Sequence, residues 1–308
     1  MIKKNVVVAA LFAFALSACG TTTSTAPSSI PVAEFPVTVG TGETAVTINA
    51  KPQAIISLSP SATEDLFAIG AGSQVIAVDD QSTYPLEAPH SKLSGYTPNV
   101  EAITAMHPDL VVISNDIDNL AASLKAANIP VLIEAAPSDL AGAEAQIIEL
   151  GRATGNSDRA VITKATMEHE ISAALNLLSK SAKSVSIYHE LDNTFYSITS
   201  DTFVGQLYKM AGLTNIADAA PGASSGYPQL SAEYIVKSNP SLIFLADGNC
   251  CGQTAATVAM RPGFASLDAV KTPGAIVLLD DDIASRWGPR TPELLHKIVM
   301  AVNAIEGK

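Results

Sequence analysis

The first half of the chain alternates short apolar runs with longer stretches of helical spacing. The apolar runs are rich in Val, Ile and Leu, which is typical of strands buried on both faces. They occupy residues 54–58, 75–79, 110–114 and 131–134. The stretch from Ser61 to Ile69 predicts a helix in which Ser61 and Glu64 form a capping box. Ahead of these elements, alternating residues around Gly40 and Gly42 predict a small hairpin.

A second half repeats this organisation. A helical pattern without Gly or Pro runs from Ser157 to Ser181, and apolar strands follow it. They are predicted at residues 184–190, 195–199, 242–246 and 275–280. The pattern indicates an α/β protein with two Rossmann-like lobes, each built on a mostly parallel sheet. We place the lobes at residues 35–154 and 182–308, joined by a helix over residues 155–181.

Two segments of the chain resemble each other. Residues 99–114 read NVEAITAMHPDLVVIS, and residues 231–246 read SAEYIVKSNPSLIFLA. In both, a capping residue, a Glu, an Ile, a Pro and a Leu keep the same spacing, which pairs Glu101 with Glu233. Any helix–turn–strand unit shares part of this pattern, but its extent favours two lobes built on one plan.

The N-terminus has the form of a secretory signal over residues 1–18, with two lysines followed by a short apolar run. It ends in Leu-Ser-Ala-Cys, which resembles the cleavage box of bacterial lipoproteins. Cys19 would then carry the lipid anchor, and the Ser/Thr/Pro-rich residues 19–34 would form the lipidated N-terminus and a flexible tether. The alternative is an ordinary signal followed by an unrelated Cys. We expect an extracytoplasmic protein anchored to the cell membrane.

The composition and the motifs of the sequence exclude several classes of function. The net charge of −12 disfavours nucleic-acid binding, and 47% hydrophobic residues argue against disorder. Cys250 and Cys251 are adjacent, so either a vicinal disulfide or two free buried thiols is expected. No nucleophile elbow, phosphate loop or clustered metal ligands occur in the sequence. We therefore expect a protein that is not an enzyme and has no catalytic residues, bound metal or cofactor. The alternative is that the protein is a cell-surface hydrolase.

Ligands of open α/β sheets bind beyond the carboxyl ends of the strands, and this rule selects the candidate ligand contacts. The aromatic side chains among them offer a ligand an apolar face, and Tyr and Trp also offer a polar tip. The candidates are Gln81, Tyr84, Tyr96, His189, Tyr227, Asp282, Arg286 and Trp287. Packing at the lobe interface is the alternative role of Trp287 and Tyr227. Arg286 would also suit an anionic group on the ligand.

Residues 55–72, Tyr84-Pro85 and residues 99–112, in this order, resemble the cobalamin, haem and iron-siderophore class of ABC-importer binding proteins. The resemblance extends from about Phe35 to the C-terminus. It implies the class III periplasmic binding protein fold, in which a rigid helix joins two lobes and the ligand lies between them. It also implies that Glu101 and Glu233 dock on arginines of the permease. The alternative role of both acids is to stabilise the start of a helix.

Resemblance to the cobalamin-binding members places Gln81, Tyr227, Asp282 and Arg286 at the ligand. The sequence departs from those members at residues 81 and 95, where an aromatic group is expected, and Tyr84 or Tyr96 would substitute. The expected ligand is cobalamin or another corrinoid.

A ferric siderophore and haem are the alternative ligands. Haem would need an axial ligand, for which His189 and Tyr188 are candidates. The expected partners are a permease with its ATPase, and we expect a monomer.

Overall fold

The computed structural model describes residues 35–179 and 185–306. The predicted signal peptide, Cys19 and the tether lie outside the described residues. The strands are β1 Val37–Val39, β2 Val46–Ile48, β3 Ile55–Leu58, β4 Val75–Asp79, β5 His90–Leu93, β6 Leu110–Ile113, β7 Val131–Ile133, β8 Ser186–Glu190, β9 Thr214–Asn215, β10 Leu242–Leu245 and β11 Ile276–Leu278. The α-helices are α1 Pro60–Ala68, α2 Val100–Thr104, α3 Leu120–Ala126, α4 Leu140–Thr154, α5 Ser157–Asn176, α6 Phe203–Met210, α7 Ala232–Ser238, α8 Gly248–Cys251, α9 Ala255–Ala259, α10 Asp268–Lys271, α11 Asp281–Ser285 and α12 Thr291–Glu306.

The first lobe is built on a five-stranded parallel sheet in the order β5-β4-β3-β6-β7. Every residue of β3 and β6 is buried, as the apolar sequence of β6 and the mostly apolar sequence of β3 predict. The predicted hairpin is present as the antiparallel pair β1–β2. The edge strand β5 was not predicted, because its sequence HSKL is mostly polar.

The second lobe is built on a four-stranded parallel sheet in the order β11-β10-β8-β9. The predicted strand at residues 195–199 is wrong: this segment forms a single bridge between Tyr196 and Gln229. Its alternating residues fit a strand, but β9 takes the place beside β8. Two parallel sheets covered by helices confirm the predicted fold class.

Helix α1 begins one residue earlier than the sequence predicts. Its N-cap is Ser59, whose hydroxyl accepts a hydrogen bond from the Ala62 amide at 3.3 Å, and Pro60 opens the helix. The predicted capping box of Ser61 and Glu64 is therefore wrong. Both side chains are buried and free to make contacts elsewhere.

Helix α5 joins the two lobes and packs against α4 of the first lobe and α12 of the second. Its buried side chains recur at helical spacing. They are Ala160, Met167, Ile171 and Ala174. The helix has 20 residues, so it is about 30 Å long. Within the described residues, no helix is both long and apolar enough to cross a membrane.

The two similar segments of the sequence fold alike. Asn99 caps α2 by accepting from the Ala102 amide at 2.8 Å, and Ser231 caps α7 by accepting from the Tyr234 amide at 3.1 Å. Helix α2 leads into β6 and α7 into β10, which occupy equivalent places in the two sheets. The predicted common plan of the lobes is present in this part of each.

Candidate functional site

The strand order of each sheet defines a crevice at the carboxyl ends of its strands. In the first sheet the order reverses between β3 and β6, and in the second between β8 and β10. Parallel α/β sheets bind ligands at such switch points. The side chains that follow these strands are therefore the candidates for ligand contact.

Glu64 lies where the two lobes meet. Its carboxylate is buried and accepts hydrogen bonds from two arginines of the second lobe. The Arg286 Nη1 atom lies 3.0 Å from Glu64 Oε1, and the Arg290 Nε atom lies 2.8 Å from Glu64 Oε2. A buried carboxylate shared by two guanidinium groups is a strong, directional contact. The lobes are thus joined on their facing sides as well as through α5.

Glu64, Arg286 and Arg290 form an ion-pair bridge between the lobes, and Arg286 adds three further contacts to it. Its Nη2 atom lies 2.8 Å from the Gln81 carbonyl oxygen, 3.0 Å from Thr83 Oγ1 and 2.8 Å from Asp282 Oδ1. Thr83 in turn donates to Asp282 Oδ2 at 2.6 Å. Two acids and two arginines balance the charge of the bridge. Of the predicted ligand contacts, the bridge brings together Gln81, Asp282 and Arg286, and Arg286 is almost fully enclosed by it.

Trp287 continues the contact between the lobes. Its amide donates to Ser61 Oγ at 3.2 Å, and its indole Nε1 donates to Gln146 Oε1 at 2.8 Å. Gly288 follows, and a Cβ atom there would lie 2.9 Å from Asp65 Oδ1. A glycine is required for this close approach of the two lobes. These contacts correspond to the packing role of Trp287 that the sequence left open.

Four tyrosine side chains on loops of the two lobes remain exposed. Tyr84 is 43% exposed, and the Arg290 guanidinium lies 4.2 Å from the centre of its ring. Tyr96 and Tyr227 are 70% and 55% exposed, each in the loop that precedes the capping residue of α2 or α7. Tyr196 is also exposed, and its backbone forms the isolated β-bridge with Gln229. The sequence did not predict Tyr196 as a ligand contact, because its segment was assigned to a strand.

His189 is not at the surface of the cleft. Its ring is fully buried, and its Nδ1 atom lies 2.8 Å from the Tyr208 hydroxyl. Burial lowers the pKa of His189 to about 3, so the ring is neutral at physiological pH. We therefore correct the prediction that His189 contacts the ligand: it is part of the core of the second lobe. Tyr188 is equally buried, so neither is placed to reach an axial position on haem.

A buried acid cluster follows the second sheet. Glu190 ends β8 and receives two hydrogen bonds from Arg261, at 2.6 and 2.7 Å. Asp247 follows β10, and both its carboxylate oxygens are buried without a hydrogen-bond partner among the described residues. Burial, with Glu190 nearby, raises the pKa of Asp247 to about 7. The sequence placed Glu190 at the end of a predicted strand, but it gave no sign that Arg261 and Asp247, which directly follows another predicted strand, would join it.

Cys250 and Cys251 form a disulfide in α8, the short helix that follows Asp247. Both residues are exposed, unlike the buried free thiols that were the alternative. The Cys250 amide donates to Asp281 Oδ2 at 2.7 Å, which ties α8 to the start of α11. The disulfide therefore lies beside the element that carries Asp282.

The two paired glutamates are exposed. Each is the second residue of its helix, α2 for Glu101 and α7 for Glu233, and each helix connects parallel strands of its sheet. Helix N-termini in such connections lie toward the carboxyl ends of the strands. Neither carboxylate forms an ion pair with any residue in 35–179 or 185–306. Both acids are thus available to a partner.

In the part of the chain that the structure describes, no three His, Cys, Asp or Glu side chains are placed to hold a metal ion together.

Comparison with known proteins gives a consistent assignment. A family model described as periplasmic binding protein matches residues 55–282. The cobalamin-binding protein of Halobacterium salinarum is 33% identical over 217 residues, which are 68% of this chain and 58% of that protein. The chain thus spans just under three fifths of the archaeal relative. The uncharacterized ABC transporter substrate-binding lipoprotein YvrC of Bacillus subtilis is 30% identical, over 87% of this chain and 86% of that one.

Solved structures agree on the fold. The periplasmic heme-binding protein RhuT from Roseiflexus is 25% identical with a TM-score of 0.70, covering 82% of this chain and 99% of that one. The periplasmic vitamin B12 binding protein BtuF of Vibrio cholerae is 20% identical with a TM-score of 0.69, covering 84% and 99%. At that identity, the second comparison concerns the fold alone.

Proposed function

Because the chain belongs to the periplasmic binding protein family, a class of solute-binding proteins rather than enzymes, we propose that it is the extracytoplasmic substrate-binding lipoprotein of an ABC importer. It captures cobalamin or a related corrinoid between its lobes and delivers it to the permease. The observation that carries the proposal is that the two lobes meet at the carboxyl ends of both sheets, which is where parallel α/β folds bind ligands. Loops at the carboxyl ends of both sheets face each other and meet at Arg286.

A corrinoid is favoured by two independent points. The first is the archaeal relative at 33% identity, which is named as a cobalamin-binding protein. The second is the set of exposed tyrosine rings on the cleft loops of both lobes, Tyr84, Tyr96 and Tyr227. Rings with an apolar face and a polar hydroxyl suit a large, flat ligand that carries amide groups.

Haem and a ferric siderophore are the competing ligands. The likeness to the heme-binding RhuT supports haem, and exposed tyrosine hydroxyls on the cleft loops could bind iron. Burial of His189 and Tyr188 removes the two axial ligands that the sequence suggested. The corrinoid proposal therefore takes precedence.

Delivery requires a docking surface and a place at the membrane. We assign docking to Glu101 and Glu233, one exposed carboxylate on each lobe, which arginines of a permease would engage by charge-assisted hydrogen bonds. The lipid on Cys19 would hold the protein beside that permease, with an ATPase on the opposite side of the membrane.

A thermal unfolding panel tests the ligand. Purified protein is melted alone and with cyanocobalamin, haemin or a ferric siderophore, each at about 100 times its dissociation constant. The true ligand raises the midpoint by about 5 °C or more, because it binds only the folded state. A shift with cyanocobalamin alone supports the proposal, and a shift with haemin alone replaces it. Turnover of any of these compounds would contradict a binding function.

A further inference from the structure

Tyr84 is held by a chain of contacts that begins in its own lobe and passes through the other. The Glu64 carboxylate of α1 accepts from Arg290 Nε at 2.8 Å and also from Arg290 Nη2. The Arg290 guanidinium then lies over the Tyr84 ring, 4.2 Å from its centre. A planar guanidinium over an aromatic face is attracted to it and limits its rotation.

The Tyr84 ring offers a free surface despite this contact. Only one face of a ring can lie against a given guanidinium, and the side chain is 43% exposed. The neighbouring Thr83 is fixed by Asp282 and Arg286 of the second lobe, so the ring lies at the boundary between the lobes. The exposed part of the ring is therefore available to a molecule that enters there.

The guanidinium groups of Arg286 and Arg290 have different sets of contacts. Both nitrogens Nη1 and Nη2 of Arg286 are engaged, by Glu64, Gln81, Thr83 and Asp282, and its side chain is almost fully buried. Arg290 is bound to Glu64 and otherwise covers Tyr84. Glu64 thus holds both arginines at once, one as a bridge between the lobes and one as a support for an aromatic ring.

We propose that Glu64 and Arg290 are positioning residues that hold the Tyr84 ring as a stacking surface for the ligand. The inference rests on the proposed corrinoid function for the identity of the ligand, and on the contacts above for the holding of the ring. Neither residue needs to touch the ligand. Their effect is to fix Tyr84 before binding, so that less rotational freedom is lost on binding.

The first arm of the experiment needs no ligand. All seven tyrosines lie within the described residues, so protein labelled with 3-fluorotyrosine gives a countable fluorine NMR spectrum. Tyr84→Phe identifies the Tyr84 signal by its loss. We expect Arg290→Gln and Glu64→Gln to shift that signal, and the control Arg159→Gln, an exposed arginine on α5, to leave it in place. An unmoved Tyr84 signal in Arg290→Gln overturns the positioning role.

The second arm is a double-mutant cycle on cyanocobalamin affinity, measured by equilibrium dialysis. We expect Arg290→Gln to weaken binding about fivefold when Tyr84 is present, and less than about twofold when Tyr84→Leu has removed the ring. Equal losses in both backgrounds overturn the inference. Arg290 is used for the cycle because Glu64→Gln removes the buried negative charge that Arg286 and Arg290 share, a change that can prevent folding.

The two arms separate this inference from the proposed function. If the wild-type protein does not bind cyanocobalamin, the corrinoid proposal fails and with it the stacking role toward that ligand. The fluorine shift still decides whether Glu64 and Arg290 hold the ring. If cyanocobalamin binds but the cycle shows no coupling, the corrinoid function stands and the positioning inference is wrong.

Discussion

Glu134, at the carboxyl end of β7, is the acid whose environment has the clearest consequence for stability. Its side chain is buried, and one carboxylate oxygen has no hydrogen-bond partner among the described residues. Burial, with Glu149 and Asp65 nearby, raises the pKa of Glu134 from 4.5 to about 9. The folded protein therefore retains a proton that the unfolded chain releases. Stability from this group is complete below pH 4.5 and is lost as the pH rises toward 9.

Replacing Glu134 by Gln keeps the shape and removes the titration. We expect Glu134→Gln to raise the free energy of unfolding at pH 9 by several kcal/mol, because the wild-type folded protein must hold at Glu134 a proton that the unfolded chain releases, and Gln has no such proton to hold. The gain should disappear near pH 5, where Glu134 is protonated when folded. Urea unfolding at both pH values measures it, with the exposed Glu87→Gln as control. A variant as pH-dependent as the wild type would contradict the assignment.

The sequence predicted the positions of some site residues correctly and the roles of others wrongly. The loop positions of Gln81, Asp282 and Arg286 follow from the rule for parallel sheets, and the structure brings the three together. The role of Glu64 could not be read, because its partner Arg286 lies 222 positions away and a local capping pattern explained the acid equally well. His189 was misassigned because a strand's last residues can point into the core as readily as into the crevice.

Among the elements, α4 and α5 make an unusually close contact. Gly151 of α4 faces Ala160 of α5, and both are buried. A Cβ atom at Gly151 would lie 2.3 Å from the Cβ of Ala160, well inside the limit of normal contact. The pair therefore fixes the distance between the first lobe and the helix that joins it to the second.

This contact predicts a pair of compensating substitutions. We expect Gly151→Ala to lower the free energy of unfolding by about 1–3 kcal/mol, because the added methyl group pushes the helices apart. Adding Ala160→Gly should restore part of the loss by vacating the same space. Urea unfolding of both single variants and the double variant gives the coupling energy. Additive effects would mean that the two positions do not contact each other.

In the two parallel sheets, the apolar pattern predicted every interior strand and the edge strands β7 and β11, but it missed the edge strands β5 and β9. Strands β3, β4, β6, β8 and β10 lie within the sheets and were predicted from their Val-, Ile- and Leu-containing runs. Strand β5 at an edge has a polar sequence, and β9 has only two residues. The pattern at residues 195–199 fits a strand, but tertiary pairing with Gln229 takes precedence.

At the scale of the molecule, the lobes are held at two places. Helix α5 packs on α4 and α12, and the bridge around Glu64 joins the facing loops. We therefore expect ligand binding to change the overall shape little. Small-angle scattering with and without saturating cyanocobalamin should give the same radius of gyration within error. A clear decrease on binding would indicate a wide hinge and contradict the rigid clamp.

The docking surfaces can be tested apart from the ligand site. We expect Glu101→Ala with Glu233→Ala to abolish corrinoid uptake by cells that depend on this protein, while cyanocobalamin affinity stays within about twofold. The reason is that both carboxylates are exposed and lack partners among the described residues. The matched control replaces two other exposed acids, Glu43→Ala with Glu170→Ala, and should leave uptake intact. Loss of affinity in the first pair would contradict the assigned roles.

The most direct test of a cleft that captures a corrinoid is equilibrium dialysis of the purified protein against cyanocobalamin, read by the absorbance of the corrin ring. We predict saturable binding of one cyanocobalamin per protein chain, lost or strongly weakened when Tyr84 and Tyr227 are both replaced by Ala. Binding that does not saturate, or a stoichiometric complex with haemin and none with cyanocobalamin, would contradict the account.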